Sequence, residues 1–282
     1  MKEKIAFIIL FWNSEKHIEA CLRSVFSLSY DVFVVAVNNG STDKTSEILD
    51  RFKDNGKMDV ISLPENMGTT KSRNMALKKI PEDTKWICIL DDDTIINELA
   101  VDALIAAMKE NEEALIASPR MWDKSKKEQM SCKRFPTLWL KIKKVVPIKK
   151  IKQKAEKDEA YSFFPGKSFD DSDPPIAGDK NIYEADYAIS ACWMMKKEIL
   201  SEVGFLNEKI FYSPEDTEYC VQIWKAGYKV IFVSGASIYH MTQRRSHKKF
   251  FSRVNIEHIK GLVYFFWKYR AFLKTRRKAL RP

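Results

Sequence analysis

What the sequence lacks narrows it first. No apolar run in its 282 residues approaches the roughly 18–20 residues that a membrane-spanning helix needs. The N-terminal MKEKIAFIILFW has only a short apolar run and no small-residue cleavage site, so it reads as a first β-strand rather than a signal peptide. The five cysteines (Cys21, Cys88, Cys132, Cys192 and Cys220) are odd in number and never spaced as CxxC. That argues against a disulfide framework or a zinc site and suits a reducing cytoplasm. There is no Gly-rich phosphate loop near the N-terminus, no internal repeat and no RNA-binding motif.

What is present is a chain 45% hydrophobic and 12% aromatic, enough for one large α/β domain or a domain with an appendage. The net charge of +10 is uneven. Residues 240–282 hold thirteen Lys/Arg against Glu257 alone, and residues 141–157 hold eight lysines against Glu156. Two basic segments are therefore attached to an acidic body, which points to a surface-directed partner.

Apolar runs of strand length recur at Ile5–Leu10, Val32–Val37, Met58–Leu63, Trp86–Leu90 and Ala114–Ser118. Helical periodicity fills the gaps over Ser14–Leu28, Lys44–Phe52, Thr69–Lys79 and Glu98–Lys109. This alternation predicts an α/β fold with a mostly parallel, doubly wound, Rossmann-like sheet, whose ligands gather at the carboxyl ends of the strands. Polar clusters fall at those ends: Asn13-Ser14, NNGSTD (38–43), ENMG (65–68) and DDDT (91–94). One site lined by four strand ends explains them better than four unrelated loops.

Residues 121–184 break the pattern and read as a long irregular insertion that includes FFPGKSFDDSDPPIAGD. Order returns with Tyr187–Met195, a helical Lys196–Val203, and SPEDTEYCVQIWKAGYKVIFV (213–233). The last predicts a helix capped by Ser213, with Pro214 in its first turn and Gly227 closing it, followed by a strand.

In NNGSTD, Gly40 supplies a permissive turn and Asp43 caps the next helix, but neither explains two asparagines ending an apolar strand. Their amides suit a nucleobase edge or a ribose hydroxyl. Three consecutive carboxylates exceed the needs of a helix cap, and a hard divalent cation would offset their repulsion. Alternation along an extended segment puts Asp91 and Asp93 on one side and Asp92 on the other. Glu215-Asp216 opens a helix, where acids are favoured in any case, and a lone His240 after a strand is by itself unremarkable in chemistry.

In this order the motifs resemble the inverting GT-A glycosyltransferases of family 2, especially bacterial rhamnosyltransferase-like members. The likeness runs over roughly residues 4–120 and 186–242, through FIILFWNSEKHIEACLRSV, VVAVNNGSTDKTSEIL, ENMGTTKSRNMAL, ILDDDT, the ISACWMM…SPEDTEYC stretch and ASIYH. The resemblance implies a GT-A domain over 1–242, made of a nucleotide-sugar half (1–120), an insertion (121–185) and an acceptor half (186–242). A basic helical tail (243–282) follows. It places the nucleotide against Phe11, Trp12, Asn13, Asn38, Asn39 and Asp43, then Asn66, Gly68 and Arg73, with Asp91 facing the ribose and Asp92 also on the nucleotide. It assigns Asp91, Asp93 and His240 to Mn²⁺ or Mg²⁺, Asp216 to the catalytic base with Glu215 beside it, and Trp193 to the acceptor. Two departures stand out: Asn38 where an aspartate is frequent, and Glu218 where the acidic motif often continues with aspartate.

The implied partners are a UDP-, dTDP- or GDP-sugar and a glycan or lipid-linked acceptor, with no nucleic acid. The tail HKKFFSRVNIEHIKGLVYFFWKYRAFLKTRRKALRP reads as an interfacial amphipathic helix on an anionic membrane, with 138–154 as a second contact. The alternative is a solvated helix packing its aromatics on the body. The whole then reads as an enzyme peripheral on the cytoplasmic membrane face. Competing readings are a nucleotidyltransferase and a noncatalytic binder of anionic surfaces.

Overall fold

The first four apolar runs become neighbouring strands in the computed structural model, which describes residues 3–53, 56–145, 148–161, 182–241 and 253–270. They are β1 (Lys4–Phe11), β2 (Asp31–Asn39), β3 (Met58–Leu63) and β4 (Trp86–Asp91), joined through helices α1 (Ile18–Phe26), α2 (Thr45–Lys53) and α3 (Thr69–Leu77). All pair in parallel in the order β3-β2-β1-β4. Parallel strands joined by crossover helices bring their carboxyl ends to one edge. There Phe11 lies opposite Asn38, Leu10 opposite Asp91 and Asn39 opposite Leu63.

The chain continues through β5 (Thr94–Ile95), α4 (Glu98–Glu110), β6 (Ala114–Trp122), β7 (Glu128–Gln129), β8 (Cys132–Lys133), α5 (Leu138–Val145), α6 (Lys149–Glu159) and β9 (Ile182–Glu184). Then come β10 (Tyr187–Ala188), β11 (Cys192–Lys196), α7 (Ile199–Glu202), α8 (Glu215–Lys225), β12 (Lys229–His240) and α9 (Arg253–Lys268). The sheet extends as β4-β11-β6-β12-β5. β12 is parallel to β6, but β11 runs antiparallel to both of its neighbours. The expected mostly parallel α/β sheet is present, with a reversed strand in its middle. An apolar run reads the same in either direction, so its sequence carries no sign of that reversal.

Both faces of the sheet are covered. Ile5, Phe7, Ile9 and Phe11 of β1 join a core with α1, α2 and α4, while Ile8 joins a second core with α3, α8 and α9. Burial on both faces is why these strands read as continuous apolar runs rather than alternating ones. All five cysteines are buried and unpaired.

Three expectations change. The stretch 121–184 is not irregular where described: β6 runs on to Trp122 and turns back through β7, and two helices follow. The lysine-rich α6 has few apolar positions to mark a helical period. FFPGKSFDDSDPPIAGD lies outside the described residues. Ser213 does not cap α8, because Pro214 is non-helical (φ −98, ψ 66) and the helix starts at Glu215 without a side-chain cap. The helix does close at Gly227 (φ 87), with Gly227 and Tyr228 N–H groups bonding back to Trp224 and Ile223. The helix expected from Ser14 begins at Ile18, since the Ser14 carbonyl first closes a turn with the N–H groups of His17 and Ile18. Of the basic C-terminal extension, α9 is described, and residues 242–252 and 271–282 lie outside the description. No described helix is long and apolar enough to cross a membrane.

Candidate active site

β4 ends at Asp91, and it is the turn formed by Asp92 and Asp93 before β5, not strand alternation, that separates the three aspartates. Asp92 turns aside and accepts a hydrogen bond from the Ser14 hydroxyl. Asp91 and Asp93 face His240, which arrives from the far end of the chain. A register irregularity between Val233 and Ser237 bends β12, and its last residues pair with β5, setting His240 opposite Thr94. His240 Nε2 then stands 3.2 Å from Asp93 Oδ1 and 3.9 Å from Asp91 Oδ2. One ligand atom from each of the three lies within 4.8 Å of the others.

The imidazole is held from behind. Its Nδ1 lies 2.9 Å from Gln129 Oε1, and Gln129 Nε2 donates to the His240 carbonyl at 2.8 Å. With Nδ1–H donated to that amide oxygen, Nε2 is the nitrogen whose lone pair faces the carboxylates. Two carboxylates and one oriented imidazole form a donor set that fits a divalent cation. Burial opposes charge on the His240 ring, but Asp93, Asp91 and Asp92 outweigh it and raise its pKa. Burial also raises Asp91, against the pull of Arg73 and His240.

Arg73, only 3% exposed, ties this cluster to the other half of the fold. Its Nη2 donates to Asp91 Oδ1 (2.9 Å) and to the Ser190 carbonyl (3.3 Å). Its Nη1 lies 3.6 Å from Glu215 Oε1, an ion pair without a hydrogen bond to any described residue. Glu215 is buried and accepts from the Ser190 hydroxyl. Burial and the neighbouring Asp216 charge push its carboxyl well above the usual range, against the pull of Arg73. Asp216 is only half-buried; its Oδ1 accepts from the Thr217 N–H at 2.6 Å.

The other strand-end residues mostly build the edge itself. Asn13, at φ 52, accepts from the Thr42 N–H, and Asn38 Oδ1 accepts from the Ser41 N–H. Asn39 accepts from Met67 N–H and the Ser72 hydroxyl and donates to Asn66, which in turn receives the Gly68 N–H. Gly68 sits at φ 85, and a Cβ there would collide with the Phe211 carbonyl. Asp43 does cap the following helix: Oδ1 accepts from the Thr45 N–H and Oδ2 from the Glu15 N–H. Trp12 is half-buried beside them.

Two expected contacts are corrected. Phe11 is wholly buried, in phase with Ile5, Phe7 and Ile9, so its side chain belongs to the core and not to a ligand. Trp193 is also wholly buried, stacked 5.9 Å from Tyr219, with Nε1–H donated to the Ala188 carbonyl. It supports the site from beneath and cannot touch an acceptor.

Sequence reasoning missed Ser14 as the partner of Asp92, Gln129 behind His240, Ser190 beside Glu215, and Asn74. Asn74 is buried and clamps Leu206, accepting from its N–H and donating to its carbonyl, which ties α3 to the loop before α8. A buried polar residue inside a helix was the only local sign of it.

Comparison with known proteins agrees with this geometry. The family model described as Glycosyl transferase family 2 matches residues 6–172, which include the aspartate cluster but stop short of Glu215, Asp216 and His240. A poly-beta-1,6-N-acetyl-D-glucosamine synthase of Staphylococcus aureus is 30% identical over 126 residues, covering 44% of this chain but only 30% of that protein. Among solved structures, GalNAc-T7 with UDP, GalNAc and Mn²⁺ matches at TM-score 0.68 and 15% identity, over 94% of this chain and 48% of that one. S. aureus TarS 1–349 in complex with UDP-GlcNAc matches at TM-score 0.56 and 18% identity, over 85% and 59%. At such identities the likeness establishes the GT-A fold alone.

Proposed function

Because the chain belongs to glycosyl transferase family 2, we propose that it is an inverting, metal-dependent transferase moving a sugar from a nucleoside diphosphate to a glycan or lipid-linked acceptor. The observation that carries this reading is the meeting of Asp91, Asp93 and His240 with Arg73 and Glu215, the chain neighbour of Asp216, at one sheet edge. In this reading residues 1–120 bind the donor and residues 186–242 hold the acceptor.

The nucleoside lies along the carboxyl ends of β1, β2 and β3, against Trp12, Asn13 and Asn38, on an edge shaped by Asn39, Asp43, Asn66 and Gly68. Asp92 steadies the Asp91 end through Ser14. Asp91, Asp93 and His240 would hold the cation, and the chemistry it would supply when bound is neutralisation of charge on the departing diphosphate. An imidazole among the donors favours Mn²⁺ over Mg²⁺, which prefers oxygen ligands and water. Arg73, fastened to Asp91, sets its positive charge beside the diphosphate. Asp216, the more exposed acid of its pair, removes the acceptor hydroxyl's proton as that oxygen attacks the anomeric carbon. Glu215, held by Ser190 and Arg73, keeps the floor of the site in place. A single displacement inverts the anomeric centre.

Two of the relatives named above were solved with a uridine nucleotide, which supports a UDP-sugar as donor. The polysaccharide synthase likeness and the basic helices support a lipid-linked or glycan acceptor at the cytoplasmic face of a membrane. The test is calorimetric titration with UDP, dTDP and GDP, each with and without Mn²⁺, on the protein and on Asp93→Ala. Manganese-dependent binding of one nucleotide, abolished in the variant, is the expected result. A folded protein that binds none of them overturns the reading in favour of a noncatalytic surface binder.

A further inference from the structure

Helix α9 carries two apolar stripes. One packs inward through Phe265, Phe266 and Tyr269, and the close approach of Gly261 to the Ser213 carbonyl leaves no room for a side chain there. The other runs Ile256, Ile259, Val263, Trp267 and is exposed, Val263 at 66% and Trp267 at 64%. Between 255 and 270 the remaining exposed side chains are Lys260, Lys268 and Arg270, so none is acidic. Helix α5 presents Leu138, Trp139 and Ile142 outward, with Trp139 62% exposed.

The two helices flank an apolar groove of about 590 Å³, walled by Leu138, Ile259, Leu262, Val263, Phe266 and Trp267. Two cationic side chains, Lys141 and Arg270, also border it. The Lys143 ammonium lies 5.7 Å above the Trp139 ring. Helix α6, packed on α5, adds exposed Lys150, Lys152 and Lys154.

Water is a poor partner for so much contiguous apolar surface. A second copy is a poor partner too, since a two-fold contact would set the lysines and arginines of this face against themselves. Exposed tryptophans among cations instead match the interface of a bilayer, where rings sit at headgroup level and cations meet anionic lipid.

We propose that the α5–α9 face docks into the headgroup region of an anionic bilayer, with a lipid chain in the groove. The same contact sets the α8 helix over the membrane. Glu218 of α8 accepts from the Lys268 ammonium (2.7 Å) and the Tyr269 hydroxyl (2.8 Å), so α9 is fastened two residues beyond Asp216. Burial holds the His258 imidazole of α9 below its usual pKa; the Lys141 cation adds to this and the Asp216 carboxylate opposes it. An acceptor anchored in the bilayer would present its hydroxyl close to that carboxylate. This last step rests on the transferase reading, whereas the docking itself does not.

The test is co-sedimentation of the full chain with vesicles of equal parts phosphatidylglycerol and phosphatidylcholine, and with phosphatidylcholine alone. The variants are Trp139→Ala/Trp267→Ala and Val263→Glu, both at exposed positions that leave the core intact. Binding to the anionic vesicles, weakened by salt and reduced at least tenfold in both variants, is expected. Equal binding by the variants, no binding to anionic vesicles, or a concentration-dependent dimer that the variants dissolve would each overturn the proposal. Mn²⁺-dependent nucleotide binding, measured on the same samples, separates the two readings. Its loss with vesicle binding intact strikes the transferase reading alone, and the reverse strikes the docking face alone.

Discussion

His240 Nε2 stands 3.2 Å from Asp93 Oδ1 because β12 ends antiparallel to β5, with the Met241 N–H donated to the Asp93 carbonyl at 2.8 Å. A ligand pair fixed by backbone pairing on both sides is pre-organised, and each partner constrains how the other meets a cation.

The pH dependence of metal binding follows from that pair. His240 must be neutral to offer Nε2, and the carboxylates hold its pKa above 6.5. A raised pKa means the ring already carries a proton above pH 6.5, so proton and metal compete there. Mn²⁺ affinity should fall as pH drops from about 8 towards 6, by up to about tenfold per unit for each proton displaced. Calorimetric Mn²⁺ titration across that range checks it, and a flat profile would count against His240 as a ligand.

Gln129 lies outside every motif, yet it orients the ring through Nδ1 and the His240 carbonyl. Removing such a partner typically costs about 10–100-fold in metal affinity. Gln129→Ala should weaken Mn²⁺ binding within that range, read from the electron paramagnetic resonance of free Mn²⁺, with the thermal midpoint little changed. Gln129→Glu should restore most of the affinity, since a carboxylate also accepts from Nδ1–H.

Asp216 and Glu215 should separate in kinetics. If Asp216 is the base, Asp216→Asn lowers kcat by about 10²–10⁴ while nucleotide binding stays intact. Glu215→Gln leaves a group that still pairs with Ser190, so its loss in kcat should be much smaller. Equal losses in the two variants would reverse the assignment.

Glu218 is 1% exposed, and its Oε1 accepts from Asn207, Lys268 and Tyr269. Glu218→Ala removes the acceptor of the Asn207 amide, the Tyr269 hydroxyl and the Lys268 ammonium and loosens α9. Breaking a buried, charge-assisted cluster of this kind costs about 2–4 kcal/mol. Urea denaturation measures that loss; a change within experimental error would show that α9 is held by its aromatics alone.

The strand ends, the aspartate cluster, the Asp43 cap and the Gly227 helix stop were legible in the residues, because periodicity and turn chemistry act over a few positions. Even the burial of Phe11 could be read from its phase with Ile5, Phe7 and Ile9. Other features needed the folded chain. The central place of β11 between β4 and β6 buries Trp193, the bend in β12 carries His240 to Asp93, and the turn after β6 brings Gln129 behind it. The sequence by itself determined which residue types end each strand. Only the tertiary structure decided which of them meet, because register between distant strands depends on packing energies summed over the whole sheet rather than on any local preference.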